Sequence, residues 1–124
     1  MDISAVKDRN IIQEKSYAFA LRSVKLYQHL SQEKQEYVLS KQLLRAGTSI
    51  GANVEEAIGA QSDKDFIAKL SIAYKEARES HYWLRLLTGT HYLTHPQSES
   101  LFTDIEEILK ITGSILKTMK SKNS

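Results

Sequence analysis

His91 and His95 stand four residues apart, the spacing at which two imidazoles share one face of a helix and can hold a metal ion. Pro96 and the loop-like composition of "THYLTHPQSES" argue against a shared face. No carboxylate occupies the third position that a Glu-x-x-His di-iron bundle needs. His29 and His81 have no ligand spacing of their own, so the four histidines are read as solvated or packed in loops, with no metal and no cofactor. Ser49 and Ser80 lack the surroundings of a nucleophile elbow. The glycines of "GTSIG" sit within a helical pattern and not in a loop that could cradle phosphate. A non-enzyme is the expectation.

One charged row has the geometry for binding. Lys15, Arg22, Lys25 and His29 fall on one stripe of a helix, with Ala18 completing the seven-residue spacing. At 1.5 Å per residue the row is roughly 21 Å long, enough to meet successive phosphates of DNA or RNA. No aromatic side chain interleaves with it as on a base-stacking platform, so any such binding is expected to be blind to sequence. The plainer reading, a charged row on a solvated helix face, stays open beside it.

These residues must be positioned by helices. Ile12, Ser16, Phe19, Ser23, Leu26 and Leu30 alternate spacings of four and three, as do Leu101, Ile105, Ile108, Thr112, Ile115 and Met119. Both rows are helical seams, and strand alternation fits neither. Leu39, Leu43, Ala46, Ile50, Asn53 and Ala57 form a second seam. Phe66, Leu70, Ala73, Ala77, Ser80, Leu84 and Leu87 form a third, opened by Ser62, which can cap the helix with Asp65 completing a capping box. The connections "SQEKQE", "GAQSD" and "THYLTHPQSES" are short, and Pro96 points to a helix stop nearby. The spacing predicts helices over about 9–31, 36–59, 63–90 and 97–120, in one all-α domain spanning 1–124. The architecture is an antiparallel up-down-up-down four-helix bundle. The last residues, "KSKNS", read as a frayed tail.

Composition agrees. A chain of 124 residues with 41% hydrophobic and 26% charged residues can bury one core. One proline and five glycines offer too little punctuation for a many-stranded sheet. The absence of cysteine excludes disulfides and thiolate metal sites and fits a reducing cytoplasm. The first 20 residues show no apolar signal-peptide core, and no apolar run is long enough to span a membrane. A net charge of +2 permits nucleic-acid contact without requiring it.

Two features exceed what one bundle needs. The second helix carries Gly47 and Gly51 on one stripe, each costing roughly 1 kcal/mol against alanine. Its apolar and small residues cover about half its circumference, where one buried face needs about 100°. Either the glycines let another subunit approach closely, or they relieve crowding inside the bundle. The third helix has an apolar row beyond its seam, Ala68, Ile72, Trp83 and Leu86, interrupted by Lys75 and Glu79. A row containing the only tryptophan points to a buried surface between copies; alternatively, Tyr82 and Trp83 cover the loop end of the monomer. Arg45, on the polar arc of the second helix, could pair with Glu55 or Glu56 of a neighbouring copy or stand in water. The candidate interface is therefore Gly47, Gly51, Arg45, Ile72, Trp83 and Leu86.

The stretch "YVLSKQLLRAGTSIGANVEEAIGAQSDKDFIAKLSIAYKEARESHYWLRLL" resembles the bacterial four-helix-bundle family named for proteins encoded in 23S rRNA intervening sequences. Its "Q..RA..SI..N..E" pattern is matched by Gln42, Arg45, Ala46, Ser49, Ile50, Asn53 and Glu56. The following "DF..KL.IA.KEA.E..YWL" is matched from Asp65 and Phe66 to Tyr82, Trp83 and Leu84. Many members have glycine after the motif glutamate, where this chain has Ala57, which suggests a subgroup. The resemblance implies a small cytoplasmic bundle of unsettled function and assembly as a ring-like homopentamer. One branch, the accessory variability determinant of diversity-generating retroelements, works with a reverse transcriptase and binds nucleic acid through a basic surface. The resemblance supplies no catalytic residue. The function expected from all this is a homo-oligomeric helical scaffold recruiting a protein or ribonucleoprotein partner; the alternative is a nucleic-acid-binding accessory protein.

Overall fold

The computed structural model describes residues 3–122, with side chains from residue 6 onward. Four helices account for nearly all of them: α1 (Ile3–Glu33), α2 (Leu39–Ile58), α3 (Asp63–Gly89) and α4 (His95–Lys122). No strand occurs among the described residues.

The helix ends have local causes. Ser62 Oγ accepts from the backbone N–H of Asp65 at 3.0 Å and starts α3 as expected. α2 begins three residues later than the spacing predicts, because Glu36 folds back over its first turn. That carboxylate accepts from the N–H groups of Val38, Leu39 and Ser40 at 3.1, 3.1 and 2.7 Å. Pro96 corrects the expected stop, since it lies inside the first turn of α4, where its missing N–H is no loss. Thr94 and Gln97 cap that turn reciprocally: Gln97 N–H donates to Thr94 Oγ1 at 3.3 Å and Thr94 N–H to Gln97 Oε1 at 2.9 Å.

The four seams close on one core. Ile12, Phe19, Leu26 and Leu30 of α1 meet Leu43, Ala46, Ile50 and Ala57 of α2, the α3 row from Phe66 to Leu87, and the α4 row from Leu101 to Met119. The polar members of the seams return their hydroxyls to their own helix. Ser23 bonds Phe19 O, Ser80 bonds Glu76 O, and Thr112 bonds Ile108 O. Among the described residues no buried side-chain polar atom lacks a partner.

Side-chain register fixes the direction of each pairing. Gln13 meets Glu55 while Ser23 lies against Gly47, so α1 and α2 run antiparallel. Lys69 meets Glu56 while Glu76 meets Arg45, which sets α3 against α2 in the same sense. Tyr74 faces Gly113 and His81 faces Glu106 across α3 and α4; Lys15 pairs Glu107 and Arg22 pairs Asp104 across α1 and α4. Each helix packs on two neighbours. The backbones of the diagonal partners, α1 with α3 and α2 with α4, stay apart, and across the first diagonal the Arg9 guanidinium of α1 lies over the Phe66 ring of α3 at 4.2 Å.

Candidate functional site

With the interior closed, function must lie on the outer faces. The two glycines turn out to face inward. A Cβ on Gly47 would overlap Ser23 Oγ and come within 2.9 Å of Ser23 Cβ and 3.3 Å of Phe19 Cε2. A Cβ on Gly51 would lie 3.3 Å from the carbonyl oxygen of Ser16. Both allow α1 to approach α2 within the subunit, with small serines on the opposite wall. The reading in which they admit a neighbouring copy is corrected, because that space is filled by the chain's own α1.

Arg45 is likewise satisfied at home. Its guanidinium bonds Glu79 and reaches Glu76 Oε2 at 3.3 Å, both on α3. Trp83 Nε1–H donates to the same Glu79 carboxylate at 3.1 Å, and the indole packs on the core from a half-buried position. The Arg45 hydrogen bond, opposed by burial and aided by Trp83, holds the Glu79 carboxyl below its ordinary range; the bond to Glu79 raises Arg45 in turn. The expected partners Glu55 and Glu56 are engaged elsewhere, by Gln13 and Lys69. Arg45 and Trp83 thus latch α2 to α3.

What remains outside is a narrower apolar face on α3. Ile72 is 41% exposed and Tyr82 44%, with half-buried Leu86 and exposed Ala68 beside them. Arg85 lies over the Tyr82 ring at 5.5 Å. Lys75 stands in the middle of this face and makes no ion pair among the described residues.

The basic row of α1 is half neutralised. Lys15 Nζ lies 2.9 Å from Glu107 and Arg22 2.6 Å from Asp104, so half of the row is the ion-paired margin where α1 meets α4. Lys25 and His29 stay exposed, lining with Arg22, Leu26, Gln97 and Leu101 a shallow pocket of about 230 Å³. Its two leucines are core residues at the seam.

The model of the 23S rRNA-intervening sequence protein family matches residues 8–114. The chain belongs to that family. No curated protein matches it. A solved structure from Bacteroides thetaiotaomicron, described as a protein of unknown function from the S23 ribosomal protein family, is 54% identical. It covers 89% of this chain and 98% of its own, with a TM-score of 0.87. Neither description names an enzymatic activity, and the solved relative of this 23S rRNA-intervening sequence protein is described as of unknown function.

Other features of this family member are quickly placed. His91 takes a left-handed backbone conformation (φ 67°) in the α3–α4 connection, and His95 begins α4, so the two do not share a helix face. No group of three or more metal-binding side chains is gathered among the described residues. His81 instead lies tilted against the Phe102 ring, with centroids 5.1 Å apart. Among the described residues no helix is long and apolar enough to cross a membrane. One surface escapes the sequence reading: Val6, Tyr17, Leu21 and Val24 of α1 are all exposed. Their spacing of four and three is legible, but the charges of the same helix draw the eye first.

Proposed function

We propose that this protein is a non-enzymatic scaffold that works as a homo-oligomer, presenting repeated outer faces to a protein or ribonucleoprotein partner. The observation that carries this reading is the exposed Ile72 and Tyr82 on α3, which a solitary bundle has no reason to leave in water. The family resemblance adds a ring of five as the expected assembly. Light scattering on the wild-type chain at micromolar concentration is expected to give several times the protomer mass. A monomer throughout that range would end the reading. Gly51→Leu and Trp83→Ala are poor probes of assembly, since both positions serve the subunit's own packing.

A second reading, sequence-blind contact with DNA or RNA, draws on different residues from those of α1. Lys75, Arg78, Lys110 and Lys117 are exposed on α3 and α4 with no ion pair among the described residues. The register set by Tyr74 with Gly113 and His81 with Glu106 brings Arg78 across from Lys110. Replacing Arg78, Lys110 and Lys117 by alanine is expected to weaken duplex binding and flatten its salt dependence, by about 0.9 in the log–log slope for each phosphate left unneutralised. Lys15→Ala is expected to change little. Absence of binding at low salt refutes this reading.

A further inference from the structure

The shallow pocket between α1 and α4 serves neither reading above, yet its lining is chemically one-sided. Arg22, Leu26 and His29 stand on successive turns of α1 with Lys25 beside them, and Gln97 and Leu101 face them from one stripe of α4. The floor is apolar, because Leu26 and Leu101 are core residues that show only 9% and 4% of their surface. The rim consists of hydrogen-bond donors. Lys25 and His29 are exposed and make no hydrogen bond or ion pair among the described residues. Arg22 donates to Asp104 Oδ2 at 2.6 Å, which cancels that carboxylate and leaves most of the five guanidinium N–H groups over. Gln97 is oriented by its cap: Oε1 accepts from Thr94 N–H at 2.9 Å, so the amide NH2 is its free end. No carboxylate is among the lining residues.

We propose that this pocket binds the phosphate group of a phosphate monoester, held by Lys25, His29, Arg22 and the Gln97 amide over the two leucines. A cation or a neutral sugar needs acceptors, which this rim does not supply. An anion needs donors, and here they come from two helices and surround one point. A carboxylate has two oxygens in one plane and leaves part of such a rim unused. A phosphate monoester brings three strong acceptor oxygens and a charge of roughly −1.5 to −2 at pH 7, which matches donors arriving from several sides. The volume, about 230 Å³, lies below the roughly 300–1,000 Å³ of sites for drug-sized ligands, so the part of the ester that enters with the phosphate is small. The phosphate has two sources, a free small molecule or the end of a nucleic-acid strand, and both present the same group.

The test is calorimetric titration of the full-length chain at low salt and pH 7 with inorganic phosphate, adenosine 5′-monophosphate, acetate, and one short single strand bearing either a 5′-phosphate or a 5′-hydroxyl. Saturable binding of a phosphate probe is expected, at least tenfold tighter than acetate. Lys25→Ala, at an exposed position, is expected to weaken it at least tenfold. Gln97→Glu keeps an acceptor for Thr94 N–H, and so the cap, but replaces the NH2 donor by a negative charge; it is expected to abolish binding in a chain that still folds by circular dichroism. Lys75→Ala, on α3, is expected to change nothing. Binding of the free monophosphate identifies a small molecule as the source. Binding of the phosphorylated strand alone identifies a strand end. Heat absent with every phosphate probe, acetate bound as tightly, a 5′-hydroxyl strand bound as well as its phosphorylated twin while the monophosphate is ignored, or binding untouched by Lys25→Ala and Gln97→Glu would each overturn the site. None of these results bears on the mass of the wild-type chain, so the pocket and self-association stand or fall separately.

Discussion

Gly47→Leu is expected to destabilise the fold by about 3 kcal/mol or more, the upper range for forcing extra carbon into a packed site. The first atom added is already too many: its Cβ falls on Ser23, whose own Cβ cannot rotate away, and Phe19 closes the other side. Both neighbours are buried, so α1 must move off α2 and loosen the core they share. Gly47→Ala suffers the same overlap with less bulk and recovers roughly 1 kcal/mol of helix propensity, so its loss is smaller. Adding Ser23→Gly to Gly47→Ala removes the opposing Cβ and is expected to restore part of the loss, giving a measurable coupling between two helices. Gly89→Ala, where nothing lies within 4 Å, is the control and should stabilise by about 0.5 kcal/mol. Urea unfolding followed by circular dichroism at one fixed protein concentration reads all four. A Gly47→Leu chain of undiminished stability but reduced mass would mean that this glycine faces another copy after all.

That case shows where the sequence is and is not sufficient. The seams of all four helices can be read from spacing alone, because burying a 3.6-residue repeat leaves a helix only one way to turn. Ser62 as a cap is equally legible, being a local matter of four residues. Gly47 and Gly51 are ambiguous for a physical reason: a helical wheel gives the direction of a stripe, not the identity of what fills it. Their partners, Ser16 and Ser23, are already present as the oddly small members of the first seam. The basic row of α1 misleads in the same way, since Asp104 and Glu107 lie more than 80 positions away and only the packing of α4 brings them to Arg22 and Lys15. Pro96 reads as a break yet marks a start; the Thr94–Gln97 pair around it carries the signal. The α1 apolar row requires only that exposed positions be tested for a second period.

Glu36 carries the other large effect, and it bears on how α1 is held to α2. Glu36 is 8% exposed, and its carboxylate accepts three backbone N–H groups at the start of α2, while Ser40 Oγ donates to its carbonyl oxygen at 2.8 Å. Removing it by Glu36→Ala leaves those donors without partners in a turn too crowded to hydrate freely, at a cost of about 2–3 kcal/mol. Glu36→Gln keeps one acceptor oxygen but loses the charge that suits a helix N-terminus, so its loss should be intermediate. Burial pushes the Glu36 carboxyl up, but the bonds from Ser40, Leu39 and Val38 outweigh it and leave it below its ordinary 4.5. The folded chain therefore binds this proton less tightly than the unfolded chain does. The stabilisation is complete above the unfolded value, begins to fail as pH drops past about 4.5, and is gone once pH passes below the folded value. Comparing wild type with Glu36→Gln from pH 7 to pH 3 isolates the contribution, because the gap between their unfolding free energies should narrow on acidification. A gap that is constant with pH would show that the turn is held by Ser40 and the chain's packing, and that the carboxylate's charge adds nothing.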